Sequence, residues 1–318
     1  YEKESGFFEI APFQFRRNGN SLSGSLRLAS GGSFDSRLKG TIDLESLILF
    51  PSLFREGRGT AHLDLTASGL VKEPLVKGRV EFRPQDNAEI EFRELPEVFS
   101  NLAGSLVIDG QRLSPKLTGQ FGDGNFRLGG GMRLDHWRPK EFDLTLHGTN
   151  LTLSRPRVWQ FDLDADVSLK GASPAPLLAG RIDLVDGSYT KDFIVREFVL
   201  RPFEEAAEPA PWEKVVEAVQ LNLFVKNSGE LRIKNNVAQV LFKSDLRVGG
   251  SYGHPRVSGN LAAVEGVITY LGKNFILNEG RLEFPETAGE EPYLILQAEQ
   301  QIPPTYTVFV ELKGPVSD

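Results

Sequence analysis

Cysteine is absent from all 318 residues, which removes disulfides, thiolate nucleophiles and Cys-ligated zinc while leaving the compartment open. A basic excess is missing too: 36 Lys and Arg stand against 43 Asp and Glu, a formal charge of −7, so nothing is set to neutralise phosphates and no nucleic-acid partner is expected. No run of about 18 apolar residues occurs, so no helix in this stretch crosses a bilayer. Methionine occurs once, and the chain starts at Tyr1 without a signal-peptide pattern, which points to a processed or excised chain. The four histidines, His62, His136, His147 and His254, form neither H-x-H nor H-E-x-x-H spacing. No metal site and no cofactor are expected from them.

What is present is alternation. Phe161, Leu163, Ala165, Val167 and Leu169 are spaced by two, with Asp162, Asp164, Asp166 and Ser168 between them, the pattern of a half-buried strand. The same period recurs in Ala61-Leu63-Leu65-Ala67, Val80-Phe82, Leu106-Ile108, Phe142-Leu144-Leu146, Ile182-Leu184, Leu221-Leu223-Val225, Leu246-Val248 and Val308-Val310-Leu312. Helical spacing is rare. Pro211 to Val219 places Trp212, Val215, Val216 and Val219 on one face behind a proline, and Leu95 to Leu102 is a shorter candidate. Phe203 to Pro211 is acidic and rich in Pro and Ala, which reads as an exposed loop.

A spacing G-x4-P-x3-G occurs at Gly69/Pro74/Gly78, Gly110/Pro115/Gly119, Gly171/Pro176/Gly180, Gly250/Pro255/Gly259 and Gly280/Pro285/Gly289. Chance would give about 0.2 matches at this Gly and Pro content, so the five are a repeat signal. The first four share an apolar residue two beyond the proline (Val76, Leu117, Leu178, Val257) and another two beyond the second glycine (Val80, Phe121, Ile182, Leu261). The fifth lacks both and is read as coincidence. Residues two apart on a strand share a face. Each copy is therefore expected to be a hairpin with a four- to six-residue connection and a glycine near each end of its apolar surface. Glycine there lets a sheet bend. The intervals of 41, 61 and 79 residues between copies mean inserted hairpins, not a fixed-period solenoid.

Motifs with the spacing of chemical sites lose their context. Gly249-Gly250-Ser251-Tyr252-Gly253 matches G-x-S-x-G, but His254-Pro255 leads into another alternating strand where a nucleophile elbow needs a helix. Asp162, Asp164 and Asp166 open like a calcium loop, yet the sixth position is Val167 and the twelfth Ser173, so they are read as the solvated face of a strand. Gly129-Gly130-Gly131 has no following helix or phosphate-binding lysine and is read as a hairpin tip. No enzymatic activity is expected.

The C-terminal third carries a recognisable order: Gly259-Asn260-Leu261, Gly266-Val267-Ile268-Thr269-Tyr270-Leu271-Gly272, Phe275, Gly280-Arg281-Leu282-Glu283-Phe284, Pro292-Tyr293-Leu294 and an alternating strand ending at Gly314. It resembles the C-terminal domain of the TamB (translocation and assembly module) family of diderm bacteria, within the AsmA-like bridge-type lipid transfer proteins. The resemblance is strongest over residues 250–314 and stylistic before it. It implies an elongated β-taco, a sheet folded into a trough open along one side, in the periplasm. Members carry phospholipid between the inner and outer membranes, are anchored to the inner membrane by an N-terminal helix, and meet a TamA-like outer-membrane barrel.

The chain is therefore expected to be all-β: one elongated unit over residues 1–318, a curved, antiparallel-rich sheet folded into an open trough or incomplete barrel, with an apolar concave face and one or two short helices. The residues expected to line a groove for phospholipid acyl chains are Leu63, Leu65, Val80, Phe82, Leu106, Ile108, Leu144, Leu146, Leu163, Val167, Ile182, Leu184, Leu223, Leu246, Val248, Leu261, Ile268, Tyr270, Val308 and Val310. Three rivals share the alternation. A membrane barrel would face its apolar residues outward and carry Tyr and Trp girdles, whereas Phe outnumbers Tyr and Trp here, 22 to 9. A β-sandwich or carbohydrate-acting enzyme would bury the apolar stripe between two sheets. A periplasmic scaffold for outer-membrane protein assembly would receive a partner strand at the sheet edge.

Overall fold

A computed structural model describes residues 7–17, 20–29, 31–49, 51, 53–93, 95, 97–136, 138–192, 217–270, 272–287 and 291–316. These residues are all-β, and the chain divides into two compact units, residues 1–151 with 169–173 and residues 152–168 with 174–318.

The first unit holds β1 (Phe7–Arg17), β2 (Asn20–Ala29), β3 (Ser33–Asp43), β4 (Phe54–Arg58), β5 (Thr60–Leu70), β6 (Glu73–Phe82), β7 (Glu89–Phe92), β8 (Phe99–Asp109), β9 (Arg112–Phe121), β10 (Gly124–Asp135) and most of β11 (Arg138–Arg155). Antiparallel pairing runs β1-β2-β3-β5-β6-β8-β9-β10-β11. β4 pairs with β7 to one side, and β7 meets β8 through Ile90 and Phe99. Among the described residues β1 pairs with β2 alone, so this sheet has an open edge and does not close into a barrel.

The second unit holds most of β12 (Trp159–Ala172), then β13 (Leu177–Tyr189), β14 (Gln220–Lys234), β15 (Ala238–Ser251), β16 (His254–Tyr270), β17 (Lys273–Phe284), β18 (Tyr293–Ile302) and β19 (Tyr306–Pro315). β13 and β14 run parallel, and each later strand pairs antiparallel with the one before it.

Hairpins follow the repeat, but their connections are shorter than expected. Leu70 pairs with Glu73 across the turn Val71–Lys72, and Ser251 pairs with His254 across Tyr252–Gly253. In these two copies the glycine and proline face each other across the ladder, as Gly69 with Pro74 and Gly250 with Pro255. Pro74 lies beyond the reach of β8, whose pairing with β6 starts at Lys77, so its missing N–H costs no ladder bond. The second glycine marks a close approach of backbones. Gly78 has φ +141 and Gly259 has φ +110, and a Cβ on either would sit closer than 3.0 Å to a carbonyl oxygen of the facing strand, that of Asp64 or Asp245. Gly180 stands in the same relation to Asp166. Three copies thus share an aspartate and an apolar residue opposite the second glycine, a regularity that only the pairing reveals.

Two expectations fail. Leu95 to Leu102 is not a helix, because Phe99–Asp109 is a strand with a bulge between Ser100 and Ala103 where Asn101 takes φ +50. Gly129 to Gly131 is not a hairpin tip. It lies within β10 against Thr145, Leu144 and Asp143, where Gly130 at φ +107 admits a close backbone approach. The described helical residues are the 3-10 turns Leu44–Leu49 and Pro84–Asp86, away from both predicted positions, and residues 217–218, which are helical at the end of the predicted span Pro211 to Val219. The predicted helix Pro211 to Val219 lies outside the described residues up to Val216, as does the predicted loop Phe203 to Pro211.

Candidate functional site

Cross-strand partners in a ladder share a face, so the registers place every apolar side chain. In the first unit one row reads Leu22, Gly40, Leu63, Val80, Leu106, Pro115 across six strands. The next reads Gly24, Leu38, Leu65, Gly78, Ile108, Leu113, Met132, Phe142 across eight. A third reads Phe82, Gly104, Leu117, Leu128, Leu146. Leu144 faces Gly130 on the same side. All eight groove residues expected in this unit thus fall on one face.

The second unit repeats the arrangement. Gly180, Leu223, Val248 and Val257 form one row, and Ile182, Val225, Leu246, Gly259 and Phe284 the next. Ser244, Leu261, Leu282 and Leu294 follow, then Ile268 with Phe275, Ala298 with Val310, and Gln300 with Val308. Leu184 faces Asn227. Leu163 and Val167 share a face of β12 by their even spacing, and Tyr270 follows Ile268 in the same way.

Exposure separates this face from an ordinary core. Of the twenty expected residues, sixteen keep intermediate exposure; Phe82 and Leu163 are buried, while Tyr270 and Val308 are exposed. A sandwich core would bury such residues, but within each unit the described strands belong to a single sheet. One end of the first unit is better packed. Phe54, Phe92, Phe99, Phe121 and Phe126 form a chain of ring contacts at 4.7–5.5 Å between centroids, with Leu44, Ala61, Ala88 and Leu102 buried nearby.

The opposite face is polar. Ser23, Lys39, Asp64 and Arg79 form one row of it, with Asp64 paired to Arg37 at 3.6 Å and Lys39 at 3.4 Å. Lys226 pairs with Asp245 at 3.6 Å on the polar face of the second unit. Val267, Ile276 and Phe309 are exceptions, lying with Glu299 in one row of that face. The resolved pKa displacements belong to exposed pairs. Lys313 lowers Glu311 and is raised by it, Glu56 raises Arg58, and Lys140 with His136 lowers Asp135. None sits on the apolar face.

The chemical motifs resolve into structure. Ser251 lies at the β15–β16 turn, where its Oγ accepts a hydrogen bond from the His254 N–H at 3.3 Å, and a strand follows. Asp162 accepts from Thr152 Oγ1 at 2.8 Å. Among the described residues no group of three or more His, Asp or Glu is placed to hold a metal ion.

Sequence reasoning missed two parts of the site. It left out of the groove Phe142 and Val225, which stood in the alternating runs, Leu294, and Leu22, Leu38, Met132 and Leu282, each of which has a glycine two positions away that interrupts the apolar run. It also missed a polar node on the apolar face. Asn227 donates through Nδ2 to the carbonyls of Gly229 at 2.7 Å and Phe242 at 3.2 Å, and its Oδ1 accepts from Ser244 N–H at 2.6 Å and Oγ at 3.1 Å. All four of its bonds stay within the sheet, so it offers a ligand nothing. It sits on a line of register slips crossing β13 at Leu184/Asp186, β14 at Lys226/Leu231, β15 at Leu241/Phe242 and β17 at Leu277/Glu279. Bulges on successive strands bend a sheet along a line.

No curated protein matches the chain. A family model described as the TamB C-terminal domain matches residues 110–318, reaching far upstream of the 250–314 segment that carries the strongest sequence resemblance. The match covers about two thirds of a chain that is all-β. The chain therefore belongs to the TamB C-terminal domain family, and with it to the cell-envelope proteins of the translocation and assembly module.

Proposed function

We propose that the apolar face carries phospholipid acyl chains, as part of a periplasmic bridge between the inner and outer membranes held at the inner membrane by a segment of the full-length protein. The observation that carries this reading is the row structure: apolar side chains aligned strand after strand, half-exposed and without a covering sheet among the described residues of either unit. A sixteen-carbon chain in water costs about 12 kcal/mol at roughly 0.8 kcal/mol per methylene. An apolar strip removes most of that cost without any catalytic group, while the headgroup stays in water. Placing a carboxylate on the strip makes the same passage unfavourable. Leu246→Asp and Leu223→Asp are therefore expected to reduce transfer of a fluorescent phospholipid between vesicles, and its photocrosslinking to the chain, by roughly tenfold or more. Far-ultraviolet circular dichroism should remain unchanged, because both positions are half-exposed. Undiminished transfer by the folded variants would remove the proposal.

A second reading is favoured by β19. Among the described residues its outer edge has no partner, and Tyr306, Phe309 and Leu312 are 71%, 70% and 51% exposed. Unprotected apolar edges invite strand addition. In this reading the edge receives a strand from an outer-membrane protein, with a TamA-like barrel as the partner. Phe309→Lys places a charge on that edge and is expected to abolish capture of the solubilised barrel while sparing phospholipid transfer. Equal capture by this variant would eliminate the edge as the docking element.

A further inference from the structure

The line of register slips divides the apolar face of the second unit into two parts with different chemistry. On the side of Leu221 and Val257 the face is aliphatic. Leu223, Val225, Leu246, Val248, Leu261 and Leu282 carry it, and Phe284 is its one aromatic ring among the described residues. Across the line it turns aromatic. Phe242 lies between Leu231 and Ala263 in one row, Phe161 lies against Gly187 beside Leu231, and Tyr189 heads the next row with Ile233, Val240 and Gly266. Trp159 stands two residues before Phe161 with the ring centroids 5.5 Å apart, and Phe275 and Tyr270 follow on β17 and β16. Three of these rings carry a polar atom. Trp159 is half-buried, and Tyr189 and Tyr270 are 36% and 56% exposed. Among the described residues neither hydroxyl nor the indole N–H has a hydrogen-bond partner. Gln300, opposite Val308, brings an amide to the same part of the face. The aliphatic part holds no such group, because Asn227 and Ser244 sit at the line itself and bond to each other and to backbone.

We infer that the second unit holds a phospholipid in one orientation, with its acyl chains on the aliphatic part and its ester and phosphate oxygens at Trp159, Tyr189 and Tyr270. This rests on the acyl-chain reading above and gives it a direction. Indole and phenol rings join an apolar body to a donor at one end, so they are favoured where hydrocarbon gives way to water. Ester carbonyls and phosphate oxygens accept hydrogen bonds, and these three side chains offer donors. A hydrocarbon tail laid over them would leave the donors without partners, whereas on the aliphatic part it meets only carbon. The aliphatic part also has room for a tail. Leu221 to Asn227 on β14 covers about 20 Å of strand at roughly 3.3 Å per residue, comparable with an extended acyl chain. Reversing the lipid would put its charged end against leucine and valine and its tails against the tyrosine hydroxyls.

Trp159 is one of three tryptophans, so the intact chain carrying Trp137→Phe and Trp212→Phe reports on it alone. Phosphatidylcholine with a nitroxide near the glycerol, at the fifth acyl carbon, is expected to quench Trp159 fluorescence at least twice as strongly as the same lipid labelled at the fourteenth. Tyr189→Phe and Tyr270→Phe keep the rings and remove the donors. Each should weaken phosphatidylcholine binding by roughly three- to tenfold, while a pyrene-labelled alkane, which has no headgroup, keeps its affinity within about twofold. Equal quenching from the two positions, or stronger quenching from the fourteenth, overturns the orientation and leaves acyl-chain binding standing. Unchanged phosphatidylcholine affinity in both tyrosine variants, or an equal loss for the alkane, overturns the role of the hydroxyls. Absence of quenching from either position removes the inference together with the acyl-chain reading beneath it.

Discussion

Single residues decide where these sheets can bend. Gly259 combines φ +110 with a facing carbonyl that leaves no room for a Cβ, while Gly249, ten residues earlier, has its nearest obstacle, the Leu221 carbonyl oxygen, at 3.9 Å. Gly259→Ala is therefore expected to destabilise the second unit by roughly 2–4 kcal/mol, and Gly249→Ala to stay within about 0.5 kcal/mol. Urea midpoints of the two variants provide the comparison. At this scale the sequence is partly readable. Side-chain parity alone puts Leu63 with Leu65 and Leu246 with Val248, because alternation fixes the face. It could not reveal that the second glycine of a repeat faces an aspartate carbonyl, nor that Asn227 closes a bulge on the apolar side, since both depend on register between strands.

Elements show why patterns mislead. Leu95, Val98, Phe99 and Leu102 have helical spacing because the Asn101 bulge inserts an extra residue between two positions that both face the packed end of the sheet. A bulged strand thereby imitates a period near 3.6. The β10–β11 connection offers a test of electrostatics at the same scale. Asp135 sits 3.2 Å from Lys140 Nζ and 2.9 Å from His136 Nδ1, and Lys140 foremost holds its carboxyl below the usual range. A depressed carboxylate contributes stability above its unfolded pKa and loses that contribution as pH falls through its folded value. Asp135→Asn should therefore melt slightly below the native chain at neutral pH, and the two melting temperatures should converge under acid. The exposure of the pair keeps the difference small.

For the whole molecule, the all-β class, the hairpin repeat and the shared apolar face were legible, since hydrophobic period and turn residues encode all three. The family resemblance was strong only over residues 250–314 and stylistic upstream, while the family match starts at residue 110. What alternation could not convey was direction. β13 and β14 look like two more alternating strands, yet Leu177 lies beside Gln220 and Tyr189 beside Ile233, in parallel.

That one parallel junction has a kinetic meaning. From β14 to β19 each strand is joined to its neighbour by connectors of 2–8 residues, whereas 30 residues separate β13 from β14. Closing the longer span costs about 1–2.5 kcal/mol more in chain entropy than closing the others. Assembly of β14–β19 can therefore run ahead as a zipper of local contacts, with β13 attached late, which makes this junction the natural seam between cooperative folding blocks.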